Sequence, residues 1–173
     1  LFFSYMPGSA WSELAIDLPK ILKLSDVREL VNKLPGFALN DLQQGSPVET
    51  RQAYESAMTM LSFLAHAYIW SDAEHPASIL PVNISQAWCS VAEALGRPPV
   101  LSYASYALYN WKRRDKSKPI ELGNICLKQN FLGGLDEEWF ILIHVDIEAK
   151  AIPALKVLVP LLDAAGQDDA DSV

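Results

Sequence analysis

The chain has 173 residues, of which 50% are hydrophobic, and this is enough for one globular domain with a sizeable core. Its formal net charge of -7 argues against a nucleic-acid-binding protein, because Lys and Arg form no basic stripe along the sequence. The basic cluster Lys112-Arg113-Arg114 is followed at once by Asp115 and is interpreted as the solvated end of a helix.

Cysteine content and hydropathy indicate the cellular setting. Cys89 and Cys126 are too few for a disulfide framework and have no metal-binding spacing, so a reduced, cytoplasmic protein is expected. The longest apolar stretch, residues 57–70, is shorter than the roughly 20 residues that cross a bilayer. It predicts a buried core helix and no membrane partner.

The two ends of the sequence predict that the chain is a portion of a longer protein. The chain opens without an initiator Met and without the basic segment of a secretory signal. Residues 167–172 are small and acidic, which predicts a disordered tip.

Apolar residues recur at offsets of three and four through most of the chain, and this spacing predicts α-helices. The predicted helices cover residues 11–24, 25–34, 49–70, 85–95, 99–114 and 137–165. The third helix is apolar almost all round in its second half, so it is expected to be central. Residues 43–48 predict a loop, and residues 119–131 predict one or two short strands. The fold class is therefore all-α, with at most a minor short-stranded sheet.

Several residues mark where these helices begin or bend. Ser9, Ser25 and Asp136 are predicted N-caps, because their side-chain oxygens can accept hydrogen bonds from the free amides of a first turn. Pro153 and Pro160 are expected to kink the last helix rather than end it.

The three histidines form no metal-binding triad, since His66 falls in the central helix, His75 in a polar loop and His144 in the last helix. Phe140 lies four residues before His144 and Ile147 three residues after it, so the three share one helix face. An imidazole on an apolar face needs a partner. Spacing alone leaves two interpretations open, a hydrogen-bonded core histidine or a residue of a ligand site.

Tyr103, Tyr106, Ala107 and Asn110 share one face of the fifth predicted helix. Tyrosines one turn apart either pack a core with their hydroxyls at its edge or line a ligand site. Their spacing does not separate these two possibilities.

Three motifs, in order and at matching spacing, resemble the LPxN, PPxLxYA and NWKxxD series of the indoleamine 2,3-dioxygenase family. The motifs are Leu80-Pro81-Val82-Asn83-Ile84, Pro98-Pro99-Val100-Leu101-Ser102-Tyr103-Ala104, and Asn110-Trp111-Lys112 with Asp115. Weaker agreement extends from Trp11 through Phe140, Glu148 and Lys156, so the resemblance covers essentially the whole chain.

The resemblance implies a small helical domain that caps a larger, all-helical domain holding haem b. Residues 1–131 would form the small capping domain, and residues 132–173 the first helix of the large haem-binding domain. The proximal histidine and the arginine that binds the substrate carboxylate have no counterpart in residues 1–173. No metal ligand is therefore assigned in this chain, and without the rest of its own haem domain it would bind haem weakly or through a substitute such as His144.

The resemblance also implies site residues on the distal face of the haem. Tyr103, Tyr106, Ala107, Phe140 and His144 would bind the substrate, and His144 would be the catalytic residue. His144 replaces the serine that is usual in this family and is similar to the histidine that tryptophan 2,3-dioxygenases place near the indole N–H, which implies a stricter tryptophan preference. The haem contacts would be Ser102, Tyr103, Phe140 and His144.

The function implied by the resemblance is a haem-dependent dioxygenase, with O₂ as co-substrate. It would convert L-tryptophan, or a related indole, to N-formylkynurenine by inserting O₂ across the indole C2=C3 bond. One alternative is a haem-binding relative that performs another indole rearrangement in secondary metabolism. A different class, a non-catalytic helical interaction module, is favoured by the acidic tail and the absent axial ligand.

Overall fold

The chain folds as six α-helices, one 3-10 helix, one π-helical turn and a two-stranded antiparallel sheet in this computed structural model, which describes residues 8–24 and 26–166. The helices are α1 (Ala10–Ile16), α2 (Leu18–Leu24), α3 (Val27–Asn32), α4 (Pro47–Trp70), α5 (Val82–Ala94) and α6 (Leu135–Gly166). The remaining elements are the 3-10 helix Leu39–Gln43, the π-helical turn Ala104–Leu108, and the strands β1 (Trp111–Arg113) and β2 (Ile125–Leu127). The predicted all-α class with a minor sheet is confirmed.

Helix α4 is the centre of the fold, as its apolar second half predicts. It contacts α1, α3, α5, the 3-10 helix and the π-helical turn, and Leu61 and Leu64 are fully buried. It begins at Pro47, two residues before the predicted start, because the Ser46 side chain accepts from the Glu49 amide while the Glu49 carboxylate accepts from the Ser46 amide. This capping box shortens the predicted loop 43–48.

The amino-terminal helices differ from the prediction at two points. The helix predicted over residues 11–24 is divided at Asp17, because Pro19 lacks a backbone N–H and its ring would crowd the preceding turn of a continuous helix. Ser9 caps α1 as predicted. The predicted cap Ser25 is wrong, since Asp26 accepts from the first amides of α3, and Ser25 itself lies outside the described residues.

The helix predicted over residues 99–114 is the largest error. Only the π-helical turn forms, and the chain then enters β1, where Trp111 pairs with Leu127 and Arg113 with Ile125. Lys112 and Arg113 are therefore strand residues, not a helix end. The strand predicted within residues 119–131 is confirmed as β2, and its pairing with β1 explains why the helix stops.

Two later boundaries are also corrected. Helix α5 begins at Val82, three residues earlier than predicted, with Pro81 in the N-cap position. Asp136 lies inside the first turn of α6 rather than at its cap, because the helix already begins at Leu135. Pro153 and Pro160 lie within α6 without ending it. The predicted disordered tip, residues 167–172, lies outside the described residues.

The buried residues form two hydrophobic clusters. The larger one joins α1–α5 around α4. The second cluster contains Ala107, Ile125, Leu127, Ile141, Leu142 and Val145. It packs the first half of α6 against the π-helical turn and β2, and this packing brings residues 103–108 close to residues 140–148. Within residues 8–24 and 26–166, no helix is both long enough and apolar enough to span a membrane.

Glu137 fixes the start of α6 to the preceding loop. Its carboxylate accepts hydrogen bonds from the backbone amides of Phe131 at 2.6 Å, Leu132 at 2.9 Å and Gly133 at 2.7 Å. Gly133 has a φ of +67°, which favours glycine and turns its amide toward the same carboxylate. One side chain therefore satisfies three amides that the loop leaves free.

Glu137→Ala is expected to destabilise the fold by about 1–3 kcal/mol, because these amides lose a charged acceptor. Glu138→Ala is the matched control on the same helical turn. Glu138 makes a long ion pair with the exposed side chain of Arg114 at 3.7 Å, so its loss should cost less than about 1 kcal/mol. Denaturant unfolding of both variants checks this, and equal losses would contradict the assigned role of Glu137.

Candidate functional site

The π-helical turn is attached to the central helix through a buried hydroxyl. Thr59 of α4, which is fully buried, directs its Oγ1 to the carbonyl of Glu55 at 3.1 Å and to the carbonyl of Ser105 at 3.2 Å. The Ser102 carbonyl accepts from the amides of Ser105 at 2.9 Å and Tyr106 at 3.0 Å. Turns of this kind occur often at functional sites, and here the turn is bounded on one side by a rigid helix.

Four aromatic side chains meet where the π-helical turn faces α6, and we call them the aromatic row. Tyr106 and Tyr103 contact edge to face with ring centroids 5.5 Å apart, Tyr103 and His144 are 6.0 Å apart, and His144 and Phe140 are 5.0 Å apart. Edge-to-face contacts of this kind are favourable, since a positive ring edge meets a negative ring face. The row joins residues from two elements into one surface.

His144 has a defined hydrogen-bonding state in this row. Its Nδ1 lies 2.6 Å from the carbonyl oxygen of Phe140, one turn earlier on α6. A carbonyl only accepts, so Nδ1 carries the proton, and in a neutral imidazole Nε2 then has a free lone pair. Among the described residues, none hydrogen bonds to Nε2. The half-buried ring is therefore anchored by one nitrogen and offers the other as an acceptor.

Tyr103 is held by a second contact with α6. Its hydroxyl donates to Oε1 of Glu148 at 2.9 Å. Burial, and then the hydrogen bond and negative charge of Glu148, raise the pKa of the Tyr103 phenol to about 12. Tyr103 is therefore a neutral phenol throughout the physiological pH range.

The structure brings together four of the six predicted site residues. Tyr103, Tyr106, Phe140 and His144 form the aromatic row, and Phe140 is 59% exposed at its end. Ala107 is fully buried in the second hydrophobic cluster, and Ser102 lies half-buried just before the turn.

Glu148 is the residue to which sequence reasoning assigned no role. Its position four residues after His144 places both side chains on one face of α6, and this spacing is the signal that would have identified it. Within residues 8–24 and 26–166, no group of three or more His, Cys, Asp or Glu side chains is arranged to hold a metal ion.

Comparisons with known proteins assign the family. The sequence profile of the indoleamine 2,3-dioxygenases matches residues 5–173. The chain is 31% identical to indoleamine 2,3-dioxygenase 1 of Mus musculus over 93% of its own length and 38% of the mouse protein. It is 36% identical to indoleamine 2,3-dioxygenase of Saccharomyces cerevisiae over 80% of its own length and 31% of the yeast protein. An indoleamine 2,3-dioxygenase of Penicillium citrinum is 30% identical over 94% of this chain and 36% of the fungal protein.

The chain thus spans less than two-fifths of the length of these relatives, and the match extends over both the π-helical turn and α6. The matched range, residues 5–173, contains all three motifs and the aromatic row. The chain belongs to the indoleamine 2,3-dioxygenase family.

Proposed function

We propose that the complete protein is a haem-dependent dioxygenase that inserts O₂ across the indole C2=C3 bond of L-tryptophan and releases N-formylkynurenine, as the first step of tryptophan breakdown by the kynurenine pathway. The observation that carries this proposal is the aromatic row, in which an anchored imidazole presents a free Nε2 within an apolar surface. The family to which the chain belongs supplies the reaction type.

The proposal also divides the chain into two domains. Residues 1–131 are the capping domain, and residues 132–173 begin the haem domain. Support comes from the part of α6 that follows Asp146, where the exposed apolar side chains are Ile147, Ile152, Leu155, Val157, Leu158, Val159 and Leu162. Exposed apolar side chains in this number mark an interaction surface, and the remainder of the protein's own haem domain would cover it.

The side chains of the aromatic row fit one face of a haem. Haem b is flat and apolar across its ring, and the exposed ring of Phe140 offers a matching contact. Ser102, Tyr103, Phe140 and His144 would hold the haem from this chain, and the rest of the protein's own haem domain would complete the site. Haem, when bound, supplies the activation of O₂.

The chain's own residues would bind and orient the indole. Neutral His144 accepts a hydrogen bond from the indole N–H at Nε2, while its Nδ1 stays bonded to the Phe140 carbonyl. The rings of Tyr103, Tyr106 and Phe140 exclude water from the indole, and Ala107 supports the turn beneath them. Holding the reacting double bond in one orientation lowers the activation barrier by several kcal/mol. The largest effect known for well-oriented reactants is about 7–11 kcal/mol.

The reduced cytoplasm is the expected compartment, because Cys89 and Cys126 are both free thiols. L-Tryptophan or a related indole is the expected small-molecule partner, with O₂ as co-substrate.

Expression of the complete reading frame with haem supplied tests this function. We expect a Soret band and, on addition of L-tryptophan with ascorbate and methylene blue, formation of N-formylkynurenine. A Soret band without this product would favour another indole rearrangement instead. Absence of haem binding would leave only the non-catalytic interaction module.

A further inference from the structure

We propose that Glu148 is a positioning residue, which holds the Tyr103 ring against His144 and thereby fixes the wall of the pocket that receives the indole. The inference rests on the proposed function and adds a specific residue to it. It starts from one contact, the hydrogen bond from the Tyr103 hydroxyl to Oε1 of Glu148 at 2.9 Å.

The contact joins the two elements that form the site. Tyr103 immediately precedes the π-helical turn, and Glu148 lies on α6 one turn after His144. Tyr103 is therefore held by α6 at two points, edge to face by His144 with centroids 6.0 Å apart and through its hydroxyl by Glu148. Without the second point, the phenol ring keeps its contacts with Tyr106 and His144 but loses the hydrogen bond that fixes its hydroxyl end.

The charges on α6 leave Glu148 available for this task. Lys150, the nearest cation in sequence, pairs with Asp146 at 2.5 Å. Among the described residues, the Glu148 carboxylate has the Tyr103 hydroxyl as its hydrogen-bond partner. Asp146 thus forms an ion pair with Lys150, whereas Glu148 accepts the hydrogen bond from Tyr103.

The direction of the hydrogen bond determines what Tyr103 does. Its hydroxyl proton is committed to Glu148, so the phenol oxygen can only accept from any other group. The raised pKa of about 12 agrees with a phenol that keeps its proton. Tyr103 consequently acts by shape and orientation and does not deliver a proton to the pocket.

Four variants of the complete, haem-loaded protein test the proposal: Glu148→Ala, Glu148→Gln, Tyr103→Phe and the double variant Tyr103→Phe/Glu148→Ala. We expect Glu148→Ala to lower kcat/KM for L-tryptophan roughly tenfold, as for the loss of one hydrogen bond to a charged group. Glu148→Gln should stay within about twofold of the parent, because the amide oxygen still accepts from the phenol. In the Tyr103→Phe background, Glu148→Ala should have no further effect.

A result that overturns the proposal is equally well defined. If Glu148→Gln is as damaging as Glu148→Ala, or if the losses of Tyr103→Phe and Glu148→Ala add in the double variant, Glu148 does not act by holding the phenol. Glu93→Ala, on the exposed face of α5, is the matched control for removing a glutamate from a helix.

A second measurement does not depend on turnover. Ultraviolet titration of the tyrosines should show Tyr103 ionising at about 12 in the parent and at lower pH in Glu148→Ala, and the same signal should be missing in Tyr103→Phe. If the parent protein shows no dioxygenase activity, the proposed function fails, yet this titration still reports the contact. An unchanged titration in Glu148→Ala would overturn the positioning role by itself.

Discussion

Replacing His144 with alanine in the complete, haem-loaded protein is expected to lower kcat/KM for L-tryptophan by about 10-fold to 100-fold, since a buried N–H left without its acceptor costs about 1–3 kcal/mol. The physical reason is the free lone pair on Nε2, which exists because Nδ1 is bonded to the Phe140 carbonyl. Alanine removes this acceptor and the ring that supports Tyr103 and Phe140. Steady-state kinetics with L-tryptophan measures the loss.

The same variant should also lose its discrimination against 1-methyltryptophan. That analogue has no indole N–H, so it gains nothing from the acceptor of His144 in the parent enzyme. His66→Ala is the matched control, because the Nδ1 of His66 makes the same bond to the carbonyl one turn earlier, that of Ser62, at 3.0 Å. His66 lies on α4 outside the aromatic row, so its removal should leave both kinetic properties intact. Unchanged turnover and unchanged discrimination in His144→Ala would show that this histidine has no role in binding the indole.

Asn110→Ala is expected to produce the largest loss of stability among the substitutions considered. Asn110 is fully buried, and its side-chain amide exchanges two hydrogen bonds with the backbone of Gln129. Nδ2 donates to the Gln129 carbonyl at 2.9 Å, and Oδ1 accepts from the Gln129 amide at 2.8 Å. Alanine leaves both backbone groups buried without a partner, at a cost of about 1–3 kcal/mol each.

For a domain of this size, a loss of about 3 kcal/mol corresponds to a decrease in Tm of about 6–12 °C. Asn40→Ala is the matched control, because Asn40 is exposed in the 3-10 helix and its replacement should change stability by less than about 0.5 kcal/mol. Thermal unfolding followed by circular dichroism gives both values. Equal Tm values for the parent and Asn110→Ala would contradict the anchoring role of this side chain.

The sequence predicted those elements whose information is local. Helix α4 is predictable because its helical spacing of apolar residues lies within one continuous stretch of sequence. Its true start was also readable, since Ser46 and Glu49 have the spacing of a capping box. The division of the first predicted helix at Asp17 follows from Pro19, which is also a local signal. A prediction from helical spacing alone misses it.

The segment after Pro99 could not be predicted in this way. Its apolar spacing is helical, yet its structure depends on residues far along the chain. Asn110 bonds to Gln129, and Trp111 pairs with Leu127 across the sheet. These contacts outweigh the helical propensity of the segment, and no window of neighbouring residues contains them.

The candidate site shows the same division between local and distant information. Periodicity placed Phe140 and His144 on one face, and their ring contact at 5.0 Å follows from that spacing. Only the family resemblance indicated that Tyr103 and Tyr106 would meet this face. The spacing of Glu148 from His144 places both on one face of α6, but the hydrogen bond of Glu148 to Tyr103 joins two elements, so neither spacing nor resemblance predicts that partner.

The most direct test of the central claim is a turnover experiment with isotopically labelled dioxygen. The complete protein, loaded with haem and reduced, is given L-tryptophan under labelled O₂, and the product is analysed by mass spectrometry. The dioxygenase assignment predicts N-formylkynurenine that carries both labelled oxygen atoms. A product with one labelled atom or none, or an indole product of another structure, would contradict it.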